Sequence, residues 1–374
     1  MSNLLQTAHP MRTTVDAAAF LTALKKIRPI LKKSSFPALE EASVRFHNGR
    51  CVLTGTDMET WIMAELSATG DDFSFVFSRT EAVEETCRYF SGELTLEMSE
   101  TGDEKHRWLV VVMSCGTRTA EFNAYPIEDY PDTPEVSGEA VFRTSASDLM
   151  KRIGRVAYAT RKPSQEFSAI SSCVQFSGHR VYALDGHRAA WDDSTVAVSQ
   201  PFLLYAGPLQ YLRVFGSGQV DFRFSAPRLS VSDGSTTIIY RMVEGQPFNL
   251  DSAIPQKYVE TFSVCPQMFL DELRYLKAAA PKSRTPYVYL HGNKLSMTAK
   301  GRKYSTAIDI ERSSGMGIGF NLCYMVDSLK PFAKQKYVTV KISGPHTPIV
   351  IEAEGRSDHA MVLPLRNSST CVAA

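Results

Sequence analysis

Apolar residues recur along this chain in one order, three times over. Phe20, Leu21, Leu24 and Ile27 follow a short alternation at Thr13 and Val15. Leu149, Met150, Ile153 and Val156 follow Phe142 and Thr144, and Phe269, Leu270, Leu273 and Leu276 follow Phe262 and Val264, at the same spacing. A step of two that changes to steps of three and four is a strand running into a helix with one buried stripe. A hairpin pattern follows each helix: Val44-x-Phe46 with Cys51-x-Leu53, Val174-x-Phe176 with Val181-x-Ala183, and Val288-x-Leu290 with Leu295-x-Met297. A second, shorter helix is expected near 79–90, 207–215 and 322–333. Alternation such as Val220-Asp221-Phe222-Arg223-Phe224 and Val338-Thr339-Val340-Lys341-Ile342 predicts half-buried antiparallel strands elsewhere. A solenoid unit spans about 20 to 50 residues, and this one recurs at roughly 120 to 130. The pattern therefore predicts an α+β chain of three similar domains, each with two helices packed on antiparallel sheets.

Proline and polar clusters punctuate the copies at Tyr125–Pro134 and Glu244–Pro255. The expected division is a flexible extension at 1–10, domains at 11–134, 135–255 and 256–366, and a tail at 367–374. The 374 residues are 44% hydrophobic, enough for three cores, and the formal net charge is +1. No overall basic excess announces a nucleic-acid partner, so such a role has to come from where the charges sit. Seven scattered cysteines without a C-x-x-C pair argue against a disulfide framework or a zinc site and suit a reducing cytoplasm. No apolar run approaches the roughly 18 residues of a membrane span, so no membrane partner is expected.

Charge is placed unevenly. Residues 17–33 carry five basic side chains (Lys25, Lys26, Arg28, Lys32, Lys33) and no acidic one; residues 147–162 carry five (Lys151, Arg152, Arg155, Arg161, Lys162) against Asp148. The third copy is weaker, with Asp271 and Tyr275 at places equivalent to Thr22 and Lys26. Any single helix of this kind reads as an ordinary solvated face. Bias at matched places in two copies points instead to a surface facing a polyanion.

Asp185-Gly186-His187-Arg188 holds a carboxylate next to an imidazole, an acid/base pair on one reading. Asp-Gly is also a turn dipeptide, and the first copy has a similar turn at Thr56-Asp57 without a histidine. No nucleophile accompanies the pair. Gly315-Met316-Gly317-Ile318-Gly319 lacks the spacing and the following Lys-Ser/Thr of a phosphate loop and reads as a turn before a strand. No histidine has metal-ligand spacing, and no cofactor is specified. Ala360–Arg366 is an apolar strand broken by Pro364, a terminus or edge whose Leu363 and Leu365 suit a groove open to a partner.

With Leu53-Thr54-Gly55-Thr56-Asp57, Asp185-Gly186-His187-Arg188, Glu244-Gly245, Gly319-Phe320-Asn321 with Tyr324, and Leu363-Pro364-Leu365-Arg366 in this order, the chain resembles the bacterial sliding clamp, the beta subunit of DNA polymerase III, over about residues 11 to 366. The resemblance implies a head-to-tail homodimer whose six similar units form a ring around duplex DNA. It implies a non-catalytic, cytoplasmic processivity factor for DNA replication, needing no cofactor or metal. It tethers the polymerase III catalytic subunit, the clamp loader, and other polymerases and repair proteins that carry clamp-binding motifs. DNA contact falls to Lys26, Lys33, Lys151 and Arg155, with Lys25 and Arg28 beside them. The motif pocket takes Ile170, Leu184, Gly186, His187, Arg188, Ala189, Phe248, Ser252, Ala253, Leu363, Pro364, Leu365 and Arg366. The dimer contact uses Phe122 on one chain and the region of Ala280 on the other.

Three departures stand against the family pattern. Ser252-Ala253 replaces a basic and an aliphatic residue, Ala189 a larger aliphatic one, and Trp191 a small one. Alternatives to the replicative clamp are a specialised second clamp, a scaffold of the same fold that does not encircle DNA, and a DNA-processing enzyme that uses Asp185 and His187.

Overall fold

The structure is a computed structural model and describes residues 10–102, 107–164, 168–280, 286–310 and 316–365. The expected N-terminal extension, except Pro10, and Arg366 with the expected tail lie outside these residues. Among the described residues five α-helices form: α1 (Ala17–Ile27), α2 (Thr80–Cys87), α3 (Ala146–Val156), α4 (Pro266–Ala279) and α5 (Leu322–Leu329). The repeated stripes are their buried faces. Phe20, Leu24 and Ile27 of α1, Leu149, Ile153 and Val156 of α3, and Phe269, Leu270, Leu273 and Leu276 of α4 are all at most 4% exposed. Three of the starts, those of α1, α4 and α5, have a local cause. The Asp16 carboxylate accepts from the Ala19 N–H at 2.8 Å, Pro266 occupies the first turn of α4, and Asn321 Oδ1 accepts from the N–H groups of Cys323 and Tyr324.

Two expected elements differ. The second copy's short helix is a 3₁₀ stretch, Pro208–Phe215. Its buried Leu209, Leu212 and Phe215 recur every third residue, the period of a 3₁₀ turn rather than of an α-helix. The expected hairpins appear in the first copy, where Phe46 pairs with Cys51 and Val44 with Leu53, and in the third, where Leu290 pairs with Leu295. In the second copy Cys173–Leu184 is one strand along Arg188–Tyr205, pairing Val174 with Leu204 and Ala183 with Ala190. Gly178 at φ +55° sits between two register shifts there, the irregularity a glycine accommodates.

Packing divides the chain into two compact units, Met1–Ser147 with Gln210–Met242, and Asp148–Leu209 with Val243–Ala374. The first is built on a twelve-stranded antiparallel sheet. The second holds a six-stranded sheet and a four-stranded one, the latter ordered Arg302–Ala307, Lys294–Ala299, Tyr287–His291, Ile318–Asn321. The units of packing thus cut through the second unit of repetition. In the first, Thr60–Gly70 of copy one pairs with Thr236–Arg241 at the end of copy two, Ile62 opposite Ile238. In the second, Arg188–Tyr205 of copy two pairs with Asp358–Val362 at the end of copy three, Ala190 opposite Ala360. The same joint is made twice.

The turns beside these joints are equivalent. Asp57 Oδ1 accepts from the N–H groups of Glu59 (3.1 Å) and Thr60 (2.7 Å), and Asp185 Oδ1 from those of His187 (2.9 Å) and Arg188 (3.0 Å). The residue after the aspartate has positive φ in both, +73° at Met58 and +84° at Gly186. A Cβ on Gly186 would meet nothing within 4 Å, so its cost is backbone strain alone. Gly186→Ala is expected to lower stability by about 1 to 2 kcal/mol, while Met58→Gly lowers it not at all; thermal melts of the two variants check this.

Candidate functional site

Five of the thirteen residues expected in the motif pocket meet in the second unit. Ile170, Leu184, Gly186, His187 and Phe248 line an open cleft of about 560 Å³, together with Arg161, Ser168 and Gln246. The Asp185 turn places His187 on its rim, where the imidazole stacks on Tyr324 with centroids 5.7 Å apart. Tyr324 comes from the first turn of α5, which Asn321 caps. Phe248 is 41% exposed, and its backbone is pinned on both sides. Its N–H donates to Gln175 Oε1 (2.7 Å), and its carbonyl accepts from the Tyr182 hydroxyl (2.8 Å). The Leu363 N–H donates to the His187 carbonyl (2.9 Å), and the Leu365 N–H to that of Gly319 (2.8 Å). Leu363-Pro364-Leu365 is therefore held beside His187 and Gly319, with Pro364 bridged to Phe320.

Beneath the rim lies a charged latch. The Arg188 side chain is 10% exposed; it donates to Asp185 Oδ2 at 3.1 Å and to Asp327 Oδ2 at 2.8 Å. Its guanidinium lies 4.7 Å from the Tyr324 ring centroid and 5.6 Å from that of Tyr158. Burial pushes the Asp327 carboxyl up, but hydrogen bonds from Lys330 and Arg188 outweigh it and hold the group below the usual carboxylate range. Burial raises the Tyr324 phenol. Arg188 is therefore a support for the groove more than a part of its lining. Asp327 carried no signal in the sequence.

Three predicted pocket residues sit differently. Ala189 is 2% exposed, inside a cluster with Tyr182, Trp191, Leu250 and Met361, so it shapes the floor from below. Ala253 packs against the same cluster. Ser252 is exposed, and its hydroxyl donates to the Asn249 carbonyl at 2.7 Å. Arg366 lies outside the described residues.

The basic residues divide into free and engaged. Lys25 and Lys33 are exposed and form no ion pair among the described residues. Lys151 is 68% exposed and pairs with Asp148 at 3.1 Å, a contact that solvent weakens. Lys26 Nζ instead donates to Thr236 Oγ1 at 2.6 Å, and Arg28 lies 3.3 Å from Glu81 and 3.8 Å from Glu84. Arg155 is bound most firmly. It meets the fully buried Asp192 at 2.8 Å, with Arg152 on the other oxygen at 2.9 Å. That hydrogen bond raises the Arg155 pKa further.

Asp185, the acid of the enzymatic reading, is 6% exposed and spends its oxygens on the turn and on Arg188. Among the described residues no group of three His, Cys, Asp or Glu side chains is placed to hold a metal, and no helix is long and apolar enough to cross a membrane.

Two strand edges complete the inventory. Arg302–Ala307 is the first strand of its sheet, with no described partner beyond Lys294–Ala299. Arg118–Tyr125 pairs along its length with Arg107–Cys115, but its other side meets a strand only at Ala124 and Tyr125. Phe122 lies on that open stretch, partly buried, edge-on to Phe77. Ala280 follows α4 and is partly buried against the core of the second unit.

No family model matches the chain. A curated beta sliding clamp of Haemophilus influenzae is 20% identical, over 95% of this chain and 100% of its own. One of Streptococcus pneumoniae is 22% identical, over 95% and 99%. Among solved structures, the DNA polymerase III subunit beta of Pseudomonas aeruginosa superposes with a TM-score of 0.80 at 18% identity, over 95% of this chain and 100% of that one. The fold is shared over 95% of this chain.

Proposed function

From the premise that this chain is a bacterial-type beta sliding clamp, we propose that two copies close head to tail around duplex DNA and tether a replicative polymerase to it. The observation that carries the closure is the repeated joint. Copy one is joined to the end of copy two, and copy two to the end of copy three, each through the strand that follows the hairpin. Copy three presents the corresponding strand, Arg302–Ala307, open, and copy one presents its last strand, Arg118–Tyr125, open along most of one side. An exposed edge is a template for another strand. A contact between unlike surfaces, repeated with a closing rotation, makes a ring.

In this reading Lys25, Lys33 and Lys151 face the DNA phosphates, with Lys26 and Arg28 behind them in internal contacts and Arg155 holding the fold. Phosphate contacts carry no sequence information, which suits a protein that moves along DNA. The cleft between Phe248, Leu184 and His187 takes apolar anchors of motifs from the polymerase, the clamp loader and repair proteins, with Leu363-Pro364-Leu365 beside it. The protein acts without catalysing a reaction, in the cytoplasm, and the three repeats at 11–134, 135–255 and 256–366 are its domains.

Lys25→Glu, Lys33→Glu and Lys151→Glu together are expected to reduce the slope of log affinity for linear duplex against log salt by about 3, near 0.9 per phosphate contact. Arg155→Ala lowers the melting temperature in the same preparation. An unchanged salt slope in the triple variant would favour a scaffold that never encircles DNA.

A further inference from the structure

We propose that the outward face of the four-stranded sheet carries a second subsite, which takes an acidic peptide segment adjoining the hydrophobic anchor of a partner motif. This inference rests on the motif-groove reading above and extends it to a neighbouring cavity. Tyr287, Tyr289 and Tyr304 stand around a space of about 260 Å³, closed at one end by Leu365. Pockets for drug-sized ligands measure roughly 300 to 1,000 Å³; this smaller cavity has room for one or two side chains.

The Gly-Met-Gly-Ile-Gly stretch acquires a purpose here. A Cβ on Gly317 would collide with the Tyr289 phenol, and one on Gly319 would lie 3.3 Å from Leu365 Cδ1. Two absent side chains let Tyr289 and Leu365 lie down on the backbone and leave a hollow above it. Gly319 belongs to the lining of this cavity.

The lining has one chemical character. Besides the three phenols it offers the hydroxyls of Ser296, Thr298 and Ser305 and the ammonium groups of Lys294 and Lys303. Every polar side chain in it can donate a hydrogen bond, and among the described residues no carboxylate lines it. Such a donor set fits an anion, and Lys294 is exposed without an ion pair among the described residues. Continuity selects a peptide as its source. Leu363 is hydrogen-bonded to His187 on the motif cleft and Leu365 lines this cavity, so only Pro364 stands between the two along the chain. A partner segment that leaves the first crosses directly into the second.

The test is fluorescence anisotropy of two labelled peptides on the full chain: a clamp-binding motif, and the same motif extended at either end by three glutamates. One extended form is expected to bind about tenfold tighter at low salt. Lys294→Glu, which reverses the charge, and Ser296→Trp, which fills the cavity, should each remove that gain and leave the plain motif's affinity unchanged. Equal affinities of plain and extended peptides, or a gain that survives both variants, would overturn the subsite while leaving the motif groove standing. Binding of neither peptide overturns the groove reading itself. Tighter binding of the extended peptide after deletion of residues 367–374 would give the cavity to this chain's own end instead.

Discussion

Phe122→Asp is expected to convert a two-chain ring into single chains and to abolish retention on circular DNA. Phe122 sits on the stretch of Arg118–Tyr125 that no described strand covers, against Phe77 on its own sheet. In the ring it would face the open Arg302–Ala307 strand of another copy. A carboxylate buried at that seam without a partner costs several kcal/mol, and each 1.4 kcal/mol is a tenfold loss of affinity. The substitution is on a partly exposed strand, so the chain itself should fold. Sedimentation velocity with a melting curve separates the two effects. A native melt with the mass of one chain supports the seam, and an unchanged two-chain mass would place the contact elsewhere.

The second large effect is expected from Arg188→Ala. It strips the counter-charge from Asp185, 4% exposed at the side chain, and leaves Asp327 with Lys330 alone. Removing one partner of a buried pair costs about 3 to 5 kcal/mol, because the other charge stays behind. The turn that carries His187 and the helix that carries Tyr324 lose the cation between them. Affinity for a clamp-binding peptide should fall about 10- to 100-fold, and Arg188→Lys should rescue little, since an ammonium cannot hold both carboxylates and lie over the Tyr324 ring as a planar guanidinium does. A peptide affinity that survives Arg188→Ala in a folded protein would show that the latch does not position the groove.

The same latch has a pH signature. The Asp327 carboxyl is held below its ordinary value, so its folded pKa is depressed. A depressed acid contributes stability that is present above the unfolded pKa, near 3.9, and lost as pH falls through the lower folded value. Folding stability should therefore keep this contribution down to about pH 4 and lose it below, and Asp327→Asn should make that loss smaller, as thermal melts against pH would show.

Local chemistry made much of this protein legible. The stripes of α1, α3 and α4 follow from residues one turn apart, and the aspartate turns at Asp57 and Asp185 follow from side chains that reach their own backbone two and three residues on. Such contacts lie within a few residues, so their spacing is written in the chain. The groove's membership came from a resemblance carried by landmarks in order, and five of those thirteen residues, Ile170, Leu184, Gly186, His187 and Phe248, line one cleft.

Tertiary structure decided what each charge is for. Lys25, Lys26, Arg28, Lys33, Lys151 and Arg155 look alike as a sequence. Arg155 is committed to Asp192, 37 residues on, and Lys26 to Thr236, 210 residues on, while Lys25 and Lys33 face solvent. Burial of Ala189 under the groove and the pairing of Thr60–Gly70 with Thr236–Arg241 are likewise outcomes of folding. The second copy's bulged strand and 3₁₀ turn belong with them. The physical reason is range. Periodicity records which face of an element is apolar, but the partner that covers that face, or neutralises that charge, is brought from a distant part of the chain and leaves no local trace.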